Sequence, residues 1–561
     1  MLILNFEPSA GERMRLKRTR FLKIFPLVIF LIFIFYLTPH PSSSVLVKIQ
    51  KNQNLSVLPF SASDIKVIQE LKTVWIAEIK TELLSKFLRA RIQGEVLDSE
   101  PEGKPYYLVN ITHEEQINKL RKLGNVRKIE NHTCLFWCAR ENVREILPPE
   151  VQIKRLPSRT SLTLRSESFP SAEENKFRNF RQSGPVILQM VNQVSKANLS
   201  SYILSLQDFK TRYASTLNCE ASGTFLYNFF NQVGVQSEYD PFSFRSDYSS
   251  RNVVATIPGK VAPNYAVVVG AHYDSYSQQP FTLAPGADDN GSGTAAAMEI
   301  GRILSRYPFN FTVKLICFSA EEWGLYGSQH YAFHARQSGE KIIAVINLDM
   351  VAYTDRVPED LDIIVNSNSE WLADKYISST QTYAPMDLLK IINPSFVYSD
   401  HSSFWDEKYS ALCGIEDENP SNPNYHKITD TLDTLNMDFA TSVTKASLAV
   451  AADLAEPVST PRPPTGLTSR SQVSSSLFSS IKTTYLSWHP SQDEVQGYNI
   501  YRTAISHASY QKVNSALLDR TSYVDSFLNP DTVYYYVVTS VDGQGRESNN
   551  SEEVRDNENN K

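Results

Sequence analysis

Five short stretches put acids and histidines where they could do chemistry. They are GAHYDS, with His272 and Asp274; GADDNGSG, with Asp288 and Asp289; FSAEEWG, with Glu321 and Glu322; INLDM, with Asp349; and YHKITDT, with Tyr425 and His426. Adjacent acids repel, and a turn such as GADDNGSG needs only one of them. Three of the stretches close apolar runs: YAVVVGAHYD, TVKLICFSAEE and KIIAVINLDM. In open α/β sheets, functional residues gather at the carboxyl ends of strands. Carboxylates crowded onto one rim need a cation, because each unpaired charge removed from water costs several kcal/mol. One histidine among several carboxylates is a borderline-hard donor set, which suits zinc and also accommodates cobalt or manganese.

The elements that must position these residues lie between about 186 and 456. The apolar runs are rich in Val and Ile, bounded by polar residues and separated by helical stretches. That pattern predicts a buried, mostly parallel sheet flanked by helices, an α/β fold. NLSSYILSLQDF and SGTFLYNFFNQVG read as helices ahead of the sheet, and GSGTAAAMEIGRIL as the helix opened by the Asp289 loop. Upstream, residues 60–150 read as a small N-terminal α/β module of the ferredoxin-like kind, with no chemistry visible in it. It is either a propeptide or a structural domain. Residues 151–185 are basic, serine-rich and aperiodic, a linker with exposed arginines such as Arg155, Arg159 and Arg165 open to processing. Downstream, within EPVSTPRPPTG, residues 457–466 are a Pro-rich linker. Residues 467–555 alternate at strand period and read as a C-terminal β-sandwich, with Trp488 in its core and Tyr534 at a tyrosine corner. That pattern resembles a fibronectin type III domain.

The five stretches together resemble the secreted bacterial leucyl-type aminopeptidases with two co-catalytic zinc ions, of the zinc-exopeptidase fold. The resemblance spans roughly 190–455 and rests on five motifs in order and spacing. It implies two zinc ions in the catalytic domain. His272 and Asp349 would hold one, Glu322 and His426 the other, and Asp289 would bridge both. It implies Glu321 as the general base that takes a proton from water and delivers it to the leaving amine. Asp274 would orient His272, as ligating histidines usually require. Tyr425 matches a tyrosine that some members use to steady the oxyanion, while others carry an apolar residue there; a packed aromatic is the competing reading. The implied substrates are peptides with a free N-terminus, with a hydrophobic first residue such as leucine favoured. Another exopeptidase or a glutaminyl cyclase on the same fold, or a receptor-like relative without catalysis, are the alternatives. All five ligand positions and Glu321 are present, which argues against the last.

Composition sets the outer bounds. The 561 residues hold 42% hydrophobic and 21% charged side chains, globular values with room for several domains. A net charge of −6, spread along the chain, gives no case for nucleic acid. Five cysteines show neither zinc-finger spacing nor a disulfide framework. Residues 1–40 join a basic stretch, RMRLKRTRFLK, to the apolar run Ile24–Leu37. They read as a signal peptide or an uncleaved signal anchor, with everything after them exported. Membrane contact is then confined to that segment; oligomeric state is not legible. Four further features carry less. His330 and His334 share HExxH spacing without its glutamate. Asp400 and His401 of YSDHSSFW fit a wall of the site. HSS lacks a nucleophile elbow. Asn290 opens a glycosylation sequon that a working site could not tolerate.

Overall fold

The computed structural model describes residues 44–51, 64–89, 94–140, 143–157, 184–244, 248–356, 358–417, 422–458, 461–475, 480–543 and 545–556. The N-terminal signal segment and most of the stretch read as a linker, 158–183, lie outside the described residues. No described helix is long and apolar enough to cross a membrane. The described chain forms two compact units, one built from residues up to 106 with 112–139 and 156–166, the other from 107–111, 140–155 and 167 onward.

In the first unit a four-stranded antiparallel sheet runs in the order Ile65–Glu70, Val74–Lys80, Ser44–Gln50, Gly94–Asp98. That is the strand order of a ferredoxin-like module. Period-two alternation buries Val45, Val47 and Ile49 in one cluster with Ala77, Ile79 and Phe87. Over 107–155 the chain runs strand, helix, two strands, helix, strand. Its last strand, Ile153–Arg155, falls inside the stretch read as linker and pairs antiparallel with Tyr107–Asn110.

The second unit holds an eight-stranded sheet. Its order is Leu388–Ile392, Leu361–Val365, Ala411–Ile415, Lys341–Leu348, Ala262–His272, Phe311–Phe318, Ser249–Ile257, Gln236–Ser243. The centre is parallel, and three pairings toward the edges are antiparallel. The apolar runs are continuous because both faces are covered. Val267, Val269, Leu315 and Ile346 pack into one cluster with the helices Gly293–Leu304 and Met437–Ala455. Their neighbours Val268, Ile316 and Val345 pack into another with the helices Tyr326–Ser338 and His401–Asp406. Beyond residue 461, two sheets built on Ser480–His489 and Tyr535–Val541 enclose Leu486, Trp488, Tyr498, Ile500, Tyr536 and Val538. There Tyr536, not Tyr534, is the fully buried tyrosine, its hydroxyl donating to Asp525 at 2.9 Å.

Candidate metal centre

The parallel strands deliver their carboxyl ends to one rim. His272 ends the Ala262–His272 strand, and Asp349 follows Lys341–Leu348. Glu321 and Glu322 stand just beyond Phe311–Phe318, and His426 sits in the loop after Ala411–Ile415. Asp289 lies in the turn Ala287–Ser292 that opens the Gly293–Leu304 helix. Three residues at this rim hold positive φ without being glycine: Ala320 (57°), Met350 (52°) and His426 (54°). Such backbone costs of order 1–3 kcal/mol each and persists only where the surroundings over-determine it.

All six side chains meet. His272 Nε2 lies 3.2 Å from Asp289 Oδ1, 3.3 Å from Asp349 Oδ1 and 4.0 Å from Glu321 Oε2. His426 Nε2 lies 3.2 Å from Asp289 Oδ2 and 2.8 Å from Glu322 Oε2. Asp289 therefore turns one oxygen to each imidazole. All six are buried, and they fall into two donor groups, His272–Glu321–Asp349 and Asp289–Glu322–His426. Glu322 Oε1 is buried without a hydrogen-bond partner among the described residues.

The surrounding contacts fix these groups. His272 Nδ1 meets the Asp274 carbonyl at 3.1 Å and its carboxylate at 3.6 Å. The same carboxylate accepts the backbone N–H groups of Glu321 and Glu322 at 3.2 and 3.3 Å. Ser399 donates to Asp349 Oδ2 at 2.5 Å and accepts from Asn347 at 2.8 Å. Asp430 accepts the N–H of Asp288 at 2.8 Å and of Asp289 at 3.0 Å. Buried Arg212 donates to the carbonyls of Pro285 (2.6 Å) and Gly286 (2.7 Å), bracing the same loop. Asp288 accepts from Ala352 N–H at 3.0 Å and Asn422 at 2.8 Å, and so faces away from the ligands.

Ser399, Asp430 and Arg212 were not singled out in the sequence. Each acts through a partner distant in the chain, and none carries a local spacing signal. Other expectations resolve simply. Asn290 is buried and donates to Leu348 O, so its amide is engaged. His330 pairs with Asp240 at 3.2 Å, and neither it nor His334 joins a donor group. His401 is buried with Nε2 on the Phe396 carbonyl, and Ser402 and Ser403 bond within the fold. No disulfide joins the five cysteines.

The electrostatics fit a cation. Although burial opposes it, Glu321 and Asp349 drive the His272 ring well above its ordinary pKa. Against the same opposition, Glu322 and Asp289 push His426 up to about 9. Burial pushes Glu321 well above the usual carboxylate range. Acids that pull protons onto two buried imidazoles mark a site short of positive charge, and the donor set suits divalent zinc. Tyr425 is half-buried, stacks on His426 at 3.8 Å between centroids and lines the cavity in front of the ligands. Burial holds its hydroxyl in the protonated, donating form. Met350, Phe396 and Ile415 give the same cavity an apolar wall.

Residues 252–451 match peptidase family M28. Leucine aminopeptidase 1 of Paracoccidioides brasiliensis (strain Pb03) is 27% identical over 305 residues, 51% of this chain and 78% of that protein. Leucine aminopeptidase 1 of Coccidioides posadasii (strain C735) is 29% identical over 285 residues, 47% of this chain and 73% of that protein. These sequence relatives are fungal. The fold is shared with LapB from Legionella pneumophila, at TM-score 0.50 and 18% identity, over 63% of this chain and 99% of that one. All six residues of the centre lie within the segment that matches peptidase family M28.

Proposed function

We propose that this metallo-aminopeptidase binds two zinc ions and releases hydrophobic N-terminal residues from peptides outside the cytoplasm. The carrying observation is Asp289, whose two oxygens each lie 3.2 Å from a different histidine Nε2. His272 and Asp349 would complete one site, Glu322 and His426 the other. When bound, the ions supply Lewis acidity. Glu321 lies farther from His272 than Asp289 or Asp349 do, which suits a group that handles protons: it accepts one from the attacking water and returns it to the departing amine. Tyr425 donates its hydroxyl to the carbonyl oxygen as charge develops there. Asp274 keeps Glu321 and Glu322 in register with His272. The apolar wall of Met350, Phe396 and Ile415 favours leucine-like first residues.

Export rests on the basic and apolar N-terminal segment, and a fractionation of cells expressing the tagged full chain tests it. For the C-terminal sandwich we favour a fibronectin type III-like module without catalysis. The deciding experiment on function pairs metal analysis with hydrolysis of leucyl-p-nitroanilide. About two zinc ions per chain are expected, with Glu321→Gln keeping them and losing on the order of 10²–10⁴-fold in kcat. A Glu321→Gln chain that turns over normally would remove the base from the scheme.

A further inference from the structure

Away from the metal centre, five more acids gather where the Leu361–Val365 strand begins and the Ala411–Ile415 strand ends. These strands pair antiparallel, with Asp362 opposite Ile415. Carried two residues on, that register sets Asp360 opposite Asp417, and like charges placed so repel. Asp355, Glu359 and Asp417 bring carboxylate oxygens within 4.8 Å of one another, and so do Asp360, Asp362 and Asp417. Asp417 belongs to both groups, and Glu359 and Asp362 are buried. Both segments lead back to the metal centre: Asp349 donates its N–H to Gly414 O at 3.1 Å, and Tyr353 donates its own to Glu416 at 2.8 Å.

Glu359 shows what the cluster lacks. Its Oε2 accepts the backbone N–H groups of Asp355 at 3.1 Å and Arg356 at 3.4 Å. Its Oε1 is buried and has no hydrogen-bond partner among the described residues. Arg356 Nε stands 3.6 Å from that oxygen, too far for a hydrogen bond. Nη2 of the same arginine meets Asp360 and lies 3.2 Å from Asp417 Oδ2, while the side chain is 54% exposed. Arg356 thus leans on the cluster from solvent and leaves the buried oxygen unsatisfied. Burial lifts Glu359 above its ordinary pKa, and Asp417 and Asp355 add to the lift. The donors are all oxygen, without the imidazoles of the metal centre, which suits a hard cation. Calcium takes about six to eight oxygens at roughly 2.3–2.6 Å in irregular geometry, whereas magnesium demands a near-ideal octahedron. Oxygens on opposite sides of one calcium ion then stand ~5 Å apart at most, and the spread of each group fits that limit. We infer that Asp355, Glu359, Asp360, Asp362 and Asp417 form a calcium site, entered as Arg356 swings into solvent. The bound ion clasps the start of one strand to the end of its neighbour.

The test titrates calcium chloride into the zinc-loaded full chain, followed by calorimetry and by thermal unfolding. Binding is expected with a Kd of about 1 mM or tighter, and with a Tm raised by a few degrees at saturation. Glu359→Gln keeps an oxygen for the two backbone N–H groups and removes the charge. It should weaken binding about tenfold or more, and Asp417→Asn should do the same. Arg356→Ala removes the competing cation and should tighten binding severalfold. Magnesium should bind about tenfold more weakly than calcium. A folded wild type with neither heat nor Tm shift at roughly tenfold above that Kd overturns the site, and leaves Arg356 as the counter-ion of the cluster. Calcium that binds wild type and Glu359→Gln alike overturns it too, because the ion then lies elsewhere. Equal affinity for magnesium would overturn the assignment to calcium. If Asp417→Asn does not fold, Glu359→Gln and Arg356→Ala decide. No substrate enters these measurements, so they stand or fall apart from the aminopeptidase reading.

Discussion

At the scale of single residues, protons and positions are the currency of the site. His426 is pushed up to about 9 by Glu322 and Asp289, so near pH 7.5 the ring carries a proton that zinc must displace. His272 is raised in the same direction. Zinc binding should therefore release protons, and its apparent affinity should fall about tenfold for each pH unit of acidification per proton displaced. Calorimetry in two buffers of different ionisation enthalpy reads this directly; equal heats in both would refute it. Ser399 makes a second case. Its hydroxyl holds the Asp349 oxygen that faces away from His272. Ser399→Ala should keep the fold and weaken zinc binding about 10–100-fold, the usual effect of losing a group that orients a ligand. A chelator competition titration checks it, and unchanged affinity would assign the hydroxyl to packing alone.

At the scale of elements, the Gly293–Leu304 helix and the Lys341–Leu348 strand must touch for Asp289 and Asp349 to share a centre. A Cβ on Gly293 would stand 2.3 Å from Leu348 O and 2.5 Å from Asn290 Oδ1, closer than real contacts allow. Gly293→Ala should push the helix start off the strand. The expected cost is about 1–3 kcal/mol of stability, with zinc content reduced, read by denaturant unfolding and metal analysis. A variant as stable and as zinc-loaded as wild type would show that the helix start has room to shift. This contact also marks what was legible in the sequence. The apolar runs, their ends and the six donors were legible because strands bury local patterns and stop at polar residues. Arg212, Asp430 and the contact of the Pro149 carbonyl with His426 were not. The Pro149 contact to His426 joins residues 277 apart in the chain, and a backbone carbonyl leaves no mark on residue type. Ile153–Arg155 looked like linker because three residues are too few to show a period.

At the scale of the molecule, the centre and the C-terminal sandwich rest on separate cores. Every proposed ligand lies between 272 and 426, in the sheet-bearing unit. The sandwich keeps its own core of Leu486, Trp488, Tyr498, Ile500, Tyr536 and Val538, whose packed neighbours all lie between 467 and 554. A ligand that binds only the folded state stabilises it by RT ln(1 + [L]/Kd), about 4.1 kcal/mol at a thousandfold excess over Kd. Zinc should lend that stability to the catalytic unfolding unit and none to the sandwich. Differential scanning calorimetry of the full chain should then resolve at least two transitions, with chelation moving the catalytic one down by several degrees and leaving the sandwich in place. A single transition that shifts as a whole would mean that the two cores unfold together, and that the C-terminal module braces the metal centre.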